Sequence, residues 1–327
     1  MKRRAPVAAV LWWLGAGLCT TAVCWAGNDD AGGERIRPSA LAGTWYPADA
    51  ETLAETVDAL LAEAVSEPPG GGIRALLVPH AGYTYSGLVA ASAFALIRGA
   101  QYRRVMVLAP AHHAGFDGLS IGDVDAYETP LGAVPLDAET IARLRASALV
   151  RPEPAAHQRE HAIEIELPFL QRALAPGWRL VPILVGRLDG DEDRLLADLI
   201  RPFLDDGTLI VVSSDFTHYG PRFGYVPFPP DRRVTERIRA LDDGAIARIV
   251  AHDAPGLLRY REETGVTICG VWPLTLLLRL LPADAAVHRL SYAASGALTG
   301  DWRHSVSYAA LAVTAPAPLS ADAEIHD

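Results

Sequence analysis

The chain has 327 residues, 50% of them hydrophobic, and a formal net charge of −10. That is enough apolar material for a large core, in one big α/β domain or two smaller ones. Lys2 is the only lysine, and no basic stripe interrupts the acidic balance, which excludes nucleic acid as a partner.

Residues 1–26 differ in character from the rest. Lys2, Arg3 and Arg4 precede an apolar, small-residue stretch, and Ala26 and Gly27 lead into polar Asn28, Asp29 and Asp30. This is the layout of an export signal, with a retained membrane anchor as the alternative. It predicts a periplasmic or cell-envelope location and confines membrane association to this segment. Removing the leader removes Cys19 and Cys24 and leaves Cys269 as a single thiol, so no internal disulfide is expected.

Residues 27–37, rich in glycine and charge, read as a linker. A Gly/Pro/aromatic segment follows at 38–47, then a helix over 49–64 with Leu53, Val57, Leu60 and Leu61 on one face. The run 75–78 has the length of a buried strand; Pro79 stops it, His80 follows, and a loop with Gly82, Tyr83 and Tyr85 leads to a small-residue helix over 88–97. Residues 105–109 repeat the design, with Pro110 at the end and His112 and His113 just beyond. Short strands or loop are expected at 119–121 and 126–135, a helix at 137–145, loop at 152–158 and a helix at 160–174 despite Pro168. A strand at 179–185, a helix at 191–203 and an uncharged strand at 207–213 come next. The last runs into Ser214, Asp215, Phe216, Thr217 and His218. After a proline- and aromatic-rich loop at 221–230, helices are expected at 234–241, 244–251, 253–262 and 264–280, the last with Cys269 and Gly270 at its front. Strands at 286–293 and 304–314 finish the body, and residues 316–327 form a loose tail.

Apolar strands alternating with helices argue one α/β domain, residues 38–315, built on a central, mostly parallel or mixed sheet with helices on both faces. Three strands end alike: 75–78 into His80, 105–109 into His112 and His113, and 209–213 into Asp215 and His218. In a parallel sheet these ends share one edge, where residues distant in sequence converge. Imidazole and thiolate donors suit zinc, copper or iron. His80 and His112 are the natural first ligands, and Cys269, at the front of a helix whose dipole favours a thiolate, is the natural third. His113 competes with His112, or it packs or reaches substrate. Asp215 and His218 are placed to form a carboxylate–imidazole pair that moves a proton. His161 and Glu164, three apart, are expected around the metal's ligands, and Tyr83 and Tyr85 along the cleft.

Seven ordered blocks carry a family resemblance: PHAGYTYSG (79–87), APAHH (109–113), REHAIEIELPFL (159–170), PILVG (182–186), VVSSDFTHYG (211–220), TICG (267–270) and SVSYAA (305–310). Together with LAGTWYP (41–47), they resemble the Memo family, whose bacterial members are labelled AmmeMemoRadiSam system protein B. The resemblance implies a fold similar to the LigB-type class III extradiol dioxygenases. It places the metal on His80, His112 and Cys269, and the acid/base role on His218 with Asp215 beside it. It also implies copper or iron, redox chemistry and, in bacteria, a link to a radical-SAM protein partner. Two departures stand out. A thiolate replaces the dioxygenases' carboxylate ligand, which favours softer metals and argues against ring cleavage. Glu166 stands where some relatives carry His or Gln. Three functions remain open: a copper- or iron-dependent oxidoreductase acting on a small molecule, a zinc hydrolase, and a non-enzymatic metal carrier or protein partner.

Overall fold

The central strands are runs of branched and aliphatic residues with charge confined to their amino-terminal halves. The computed structural model describes residues 33–67 and 69–316; the expected leader and the tail beyond residue 316 lie outside the described residues. In chain order the strands are β1 (Ile36–Arg37), β2 (Gly72–Val78), β3 (Arg104–Pro110), β4 (Leu119–Ser120), β5 (Ala126–Thr129), β6 (Gly132–Pro135), β7 (Arg179–Val185), β8 (Thr208–Ser213), β9 (His218–Tyr219), β10 (Ala286–Ala294) and β11 (Ser305–Ala315). The main sheet runs β10-β11-β2-β8-β3-β7-β4, with β9 paired to β11 outside that path, and a small sheet runs β1-β5-β6.

β2, β8, β3 and β7 are parallel to their neighbours in that central run. β11 lies antiparallel on β2, β10 on β11, and β4 on β7. The domain is therefore α/β with a mixed sheet. Ala75, Leu76, Leu77 and Val78 are all fully buried. Because successive strand residues face opposite sides, burial of all four means that both faces of β2 are covered. Helix Tyr83–Phe94 packs on β2, β10 and β11, and helix Val271–Leu280 on β3 and β8. Among the described residues, no helix is long and apolar enough to cross a membrane.

Several elements depart from expectation for local reasons. The helix expected from residue 88 begins at Tyr83, so Tyr83 and Tyr85 sit in its first turn rather than in a loop. The helix expected over 160–174 is two pieces, His161–Glu164 and Leu167–Ala173, the second opening on Leu167 and Pro168, since proline is tolerated only in a first turn. The two helices expected at 234–241 and 244–251 are one, Val234–Val250. Gly244 does not break it. A Cβ there would meet the Tyr260 hydroxyl at 2.2 Å, so the glycine admits that side chain. The last residues of the expected linker are also ordered. Ile36 and Arg37 form β1, and the buried Arg37 is held by Glu164.

The helix expected over 264–280 begins only at Val271, so Cys269 lies in the loop before it. Gly270 caps that helix and makes the loop's approach feasible. Its N–H donates to Ser214 Oγ at 3.0 Å, and a Cβ on it would meet Ser214 Cβ at 2.4 Å. This close approach presses Cys269 against residues 214–215 at the end of β8.

Candidate metal centre

The parallel strands β2, β3 and β8 bring their carboxyl ends to one edge, and His80, His112, Asp215 and His218 all lie just past those ends. His161 joins them from the first position of its short helix. One ligand nitrogen from each of His80, His112 and His161 lies within 4.8 Å of the other two. The rings are 5.1 Å (His80–His112), 5.2 Å (His80–His161) and 4.4 Å (His112–His161) apart. Three converging imidazoles could hold a metal ion, and the donor set suits zinc, copper or iron.

Each ring has its other nitrogen occupied. His80 Nδ1 lies 2.8 Å from Ser213 Oγ, which leaves Nε2 facing the centre. Glu160 accepts from the His112 backbone N–H at 2.7 Å (Oε2), and its Oε1 lies 2.8 Å from His112 Nδ1 and 3.3 Å from His161 Nδ1. A carboxylate accepting from Nδ1 fixes the tautomer that presents Nε2 as a ligand. Burial works to raise the Glu160 pKa, but its bonds and proximity to His112 prevail and bring it down to about 2. Burial pushes His80 well below the usual imidazole range, with the neighbouring histidines adding to the effect. Burial and His112 bring His161 to about 4. Both rings are thus neutral near pH 7, as metal ligation requires.

Cys269, the expected third ligand, stands outside the three-histidine group, which contains His161 instead. Its Sγ is nevertheless 3.1 Å from His80 Nε2, and it accepts from the Asp215 backbone N–H at 3.2 Å. The helix-dipole argument for a thiolate does not carry over to the metal-free protein. Burial, with Asp215 nearby, pushes the thiol far above its ordinary value, and the residue precedes the helix rather than capping it.

Asp215 does not orient His218. Its Oδ1 accepts from the His80 backbone N–H at 2.9 Å, and burial raises its pKa against the pull of His218 and the backbone donors. Two carbonyls orient His218 instead, Phe216 O at 2.9 Å and Thr267 O at 3.0 Å from Nδ1. Carbonyls only accept, so Nδ1 carries the proton and Nε2 is free to take one.

The remaining expected residues divide. His113 is exposed, its ring 6.4 Å from that of His161. Tyr83 and Tyr85 border a cavity of about 770 Å³ beside Trp45, although the Tyr83 hydroxyl donates to Ile165 O at 2.9 Å. The Glu164 side chain makes no hydrogen bond to the candidate metal ligands among the described residues. It pairs with Arg37 at 2.6 Å, and accepts from Ser39 Oγ, Tyr46 Oη and the N–H groups of Ala40 and Leu41. It fastens the 37–46 segment to the domain. That segment in turn carries Trp45, whose ring lies 4.7 Å from that of His161.

Residues 37–312 match the model of a family described as Memo-like protein. The chain belongs to the Memo family. It is 32% identical over 291 residues to the MEMO1 family protein MK0963 of Methanopyrus kandleri, covering 84% of this chain and 98% of that one. It is 33% identical over 254 residues to the memo-1 homolog of Caenorhabditis elegans (76% and 71%), and 32% identical over 287 residues to Protein MEMO1 of Xenopus laevis (84% and 96%). A solved structure, uncharacterized protein JW3007 of Escherichia coli K12, aligns with 73% of this chain and 99% of its own at a TM-score of 0.49 and 15% identity, too distant to add to the assignment.

Within this Memo-family domain, Glu160, Ser213 and Trp45 are the site residues that the sequence reading does not single out. Glu160 alone left a trace, as a carboxylate adjoining a histidine at a helix start. It is the N-cap, accepting from Ala162 N at 3.0 Å, so one side chain both begins the helix and steers two imidazoles.

Proposed function

We propose that the chain is a metal-dependent oxidoreductase with copper or iron at the edge of the sheet. His80, His112 and His161 would hold the ion, with Cys269 as a further sulfur donor. The convergence of three imidazoles, two of them steered by one buried carboxylate, is the observation that carries this reading. When bound, copper or iron would supply one-electron chemistry and an open coordination position. His218 Nε2 would move the proton, and Asp215 would hold the His80 backbone in place. The presence of a sulfur beside nitrogen donors favours copper or iron over magnesium or calcium.

The test is anaerobic purification of the full chain, metal analysis, and turnover against a panel of phenols and metal reductants. Copper or iron with turnover lost in His218→Ala supports the proposal. Zinc alone with hydrolytic activity would select the hydrolase. Tight metal uptake with no turnover, indifferent to His218→Ala, would select the carrier. The leader reading leads us to propose an exported protein. Cell fractionation finding the chain in the cytosol at full length would overturn that.

A further inference from the structure

Between the carboxyl ends of β3 and β7 and the loop that carries Cys269 lies a second cleft, of about 840 Å³. That volume lies in the range of small-molecule sites. Its lining includes the apolar side chains of Phe116 and Trp272, and the charged groups on it are Arg187, Arg261 and Asp117. Cys269 also lines it, with Sγ 3.1 Å from His80 Nε2, so the cleft reaches a side chain that touches one of the three histidines.

The charges are unequal. Arg187 is already neutralised, by Asp117 at 3.4 Å and Asp189 at 2.6 Å. Arg261, exposed in the last turn of helix Ala254–Thr264, has no carboxylate within ion-pair reach among the described residues. A free guanidinium beside an apolar cleft, on a chain of net charge −10, is a place for one negative charge. Asp117 disfavours a second.

We propose that this cleft binds a monocarboxylic acid with a compact apolar body. The carboxylate meets Arg261, and the body lies along Phe116 and Trp272 and extends toward Cys269. The proposal rests on the reading above only in making that acid the substrate of the metal centre; the binding itself needs no metal.

The test is calorimetric titration of the metal-stripped full chain with a matched set: hexanoate, hexanamide, hexylamine and hexyl phosphate. Hexanoate should bind about tenfold or more tighter than each of the others, the difference expected for a charge-assisted bond to guanidinium. Arg261→Gln should reduce hexanoate to the level of the amide and leave the amide unchanged. The side chain is exposed at a helix end, so an unaltered melting curve is expected. Ala114→Trp, placed in the cleft lining, should weaken the acid and the amide together. Equal binding of acid and amide, tighter binding of the phosphate, indifference to Arg261→Gln, or no binding by any of the four would overturn the proposal. The same titration in a His80→Ala/His112→Ala chain separates the two readings. Acid binding that persists there stands whatever becomes of the metal centre, and metal loading without acid binding sinks the cleft alone.

Discussion

Glu160 Oε1 lies 2.8 Å from His112 Nδ1 and 3.3 Å from His161 Nδ1, so one buried carboxylate faces two of the three histidines that could hold a metal. Both rings owe their tautomer to that one oxygen, while Oε2 accepts from the His112 backbone N–H. Glu160→Gln presents an amide N–H where an acceptor is needed. It is set either against both rings at the Oε1 position or against the His112 backbone N–H at the Oε2 position, and either way His112 or the rings must shift. Metal affinity should fall about 10–100-fold, the usual effect of losing such an outer partner. Competition titration with a chromophoric chelator measures it. An affinity within twofold of the wild type would show that Glu160 does not steer the ligands.

The three-histidine group and the His80/His112/Cys269 set make different demands. His80 and His112 are common to both, so the decision falls on the third member. If the imidazoles dominate, His161→Ala lowers affinity more than Cys269→Ser does. Should the thiolate be the essential third ligand, the order reverses, and a cobalt-substituted wild type shows a sulfur-to-metal charge-transfer band that Cys269→Ser abolishes. Cobalt absorption spectra with parallel affinity measurements on both variants check this.

What could be read from the sequence was the sheet edge. The runs before His80 and His112 are apolar on every residue, and the one before Asp215 is apolar up to Ser213. Only a strand covered on both faces needs that, so their parallel association and shared edge follow. His161 was harder to place. It sits on a short helix between strands, and neither its spacing to Glu164 nor any period shows that its ring turns toward His80 while Glu164 turns to Arg37. Cys269 went the same way. The helix front was read from an apolar run that begins before the helix does, because Thr267–Gly270 is held by side-chain bonds to residues 214–218 rather than by helical periodicity. Contacts made across more than 40 residues of sequence leave no local pattern to read.

Asp242 is fully buried and is the common acceptor for Thr217 N (3.1 Å), Thr217 Oγ1 (2.6 Å), Tyr292 Oη (2.6 Å) and Ser307 Oγ (2.5 Å). It ties the turn between Asp215 and His218 to helix Val234–Val250 and to β10 and β11. Asp242→Ala leaves four donors, three of them buried, without their acceptor. Destabilisation of about 2–4 kcal/mol is expected, read as a lower urea midpoint at unchanged slope. Because Thr217 is released, His218-dependent turnover should fall at temperatures where the variant is still folded. A midpoint shift near zero would mean that water replaces the carboxylate without loss.

Glu166 gives a pH-dependent prediction with a definite sign. It is fully buried and its Oε1 has no partner. Burial pushes its pKa well above the ordinary value, the charge of Asp215 pushes the same way, and only a bond with Ser213 opposes them. A folded-state pKa above the unfolded one means that the native protein holds this proton more tightly. The stability it confers is fully present below the unfolded value, about 4.3, and is lost as pH rises toward the folded pKa. Glu166→Gln keeps the shape and removes the titration. In metal-stripped protein, the stability of the wild type relative to Glu166→Gln should therefore decline as pH rises from about 5 to 8, with a slope of at most about 1.4 kcal/mol per pH unit. The variant should be the more stable of the two at the alkaline end. Urea midpoints measured across that range decide it: parallel curves, or a wild type that gains on the variant with rising pH, would mean that Glu166 is already ionised in the folded protein.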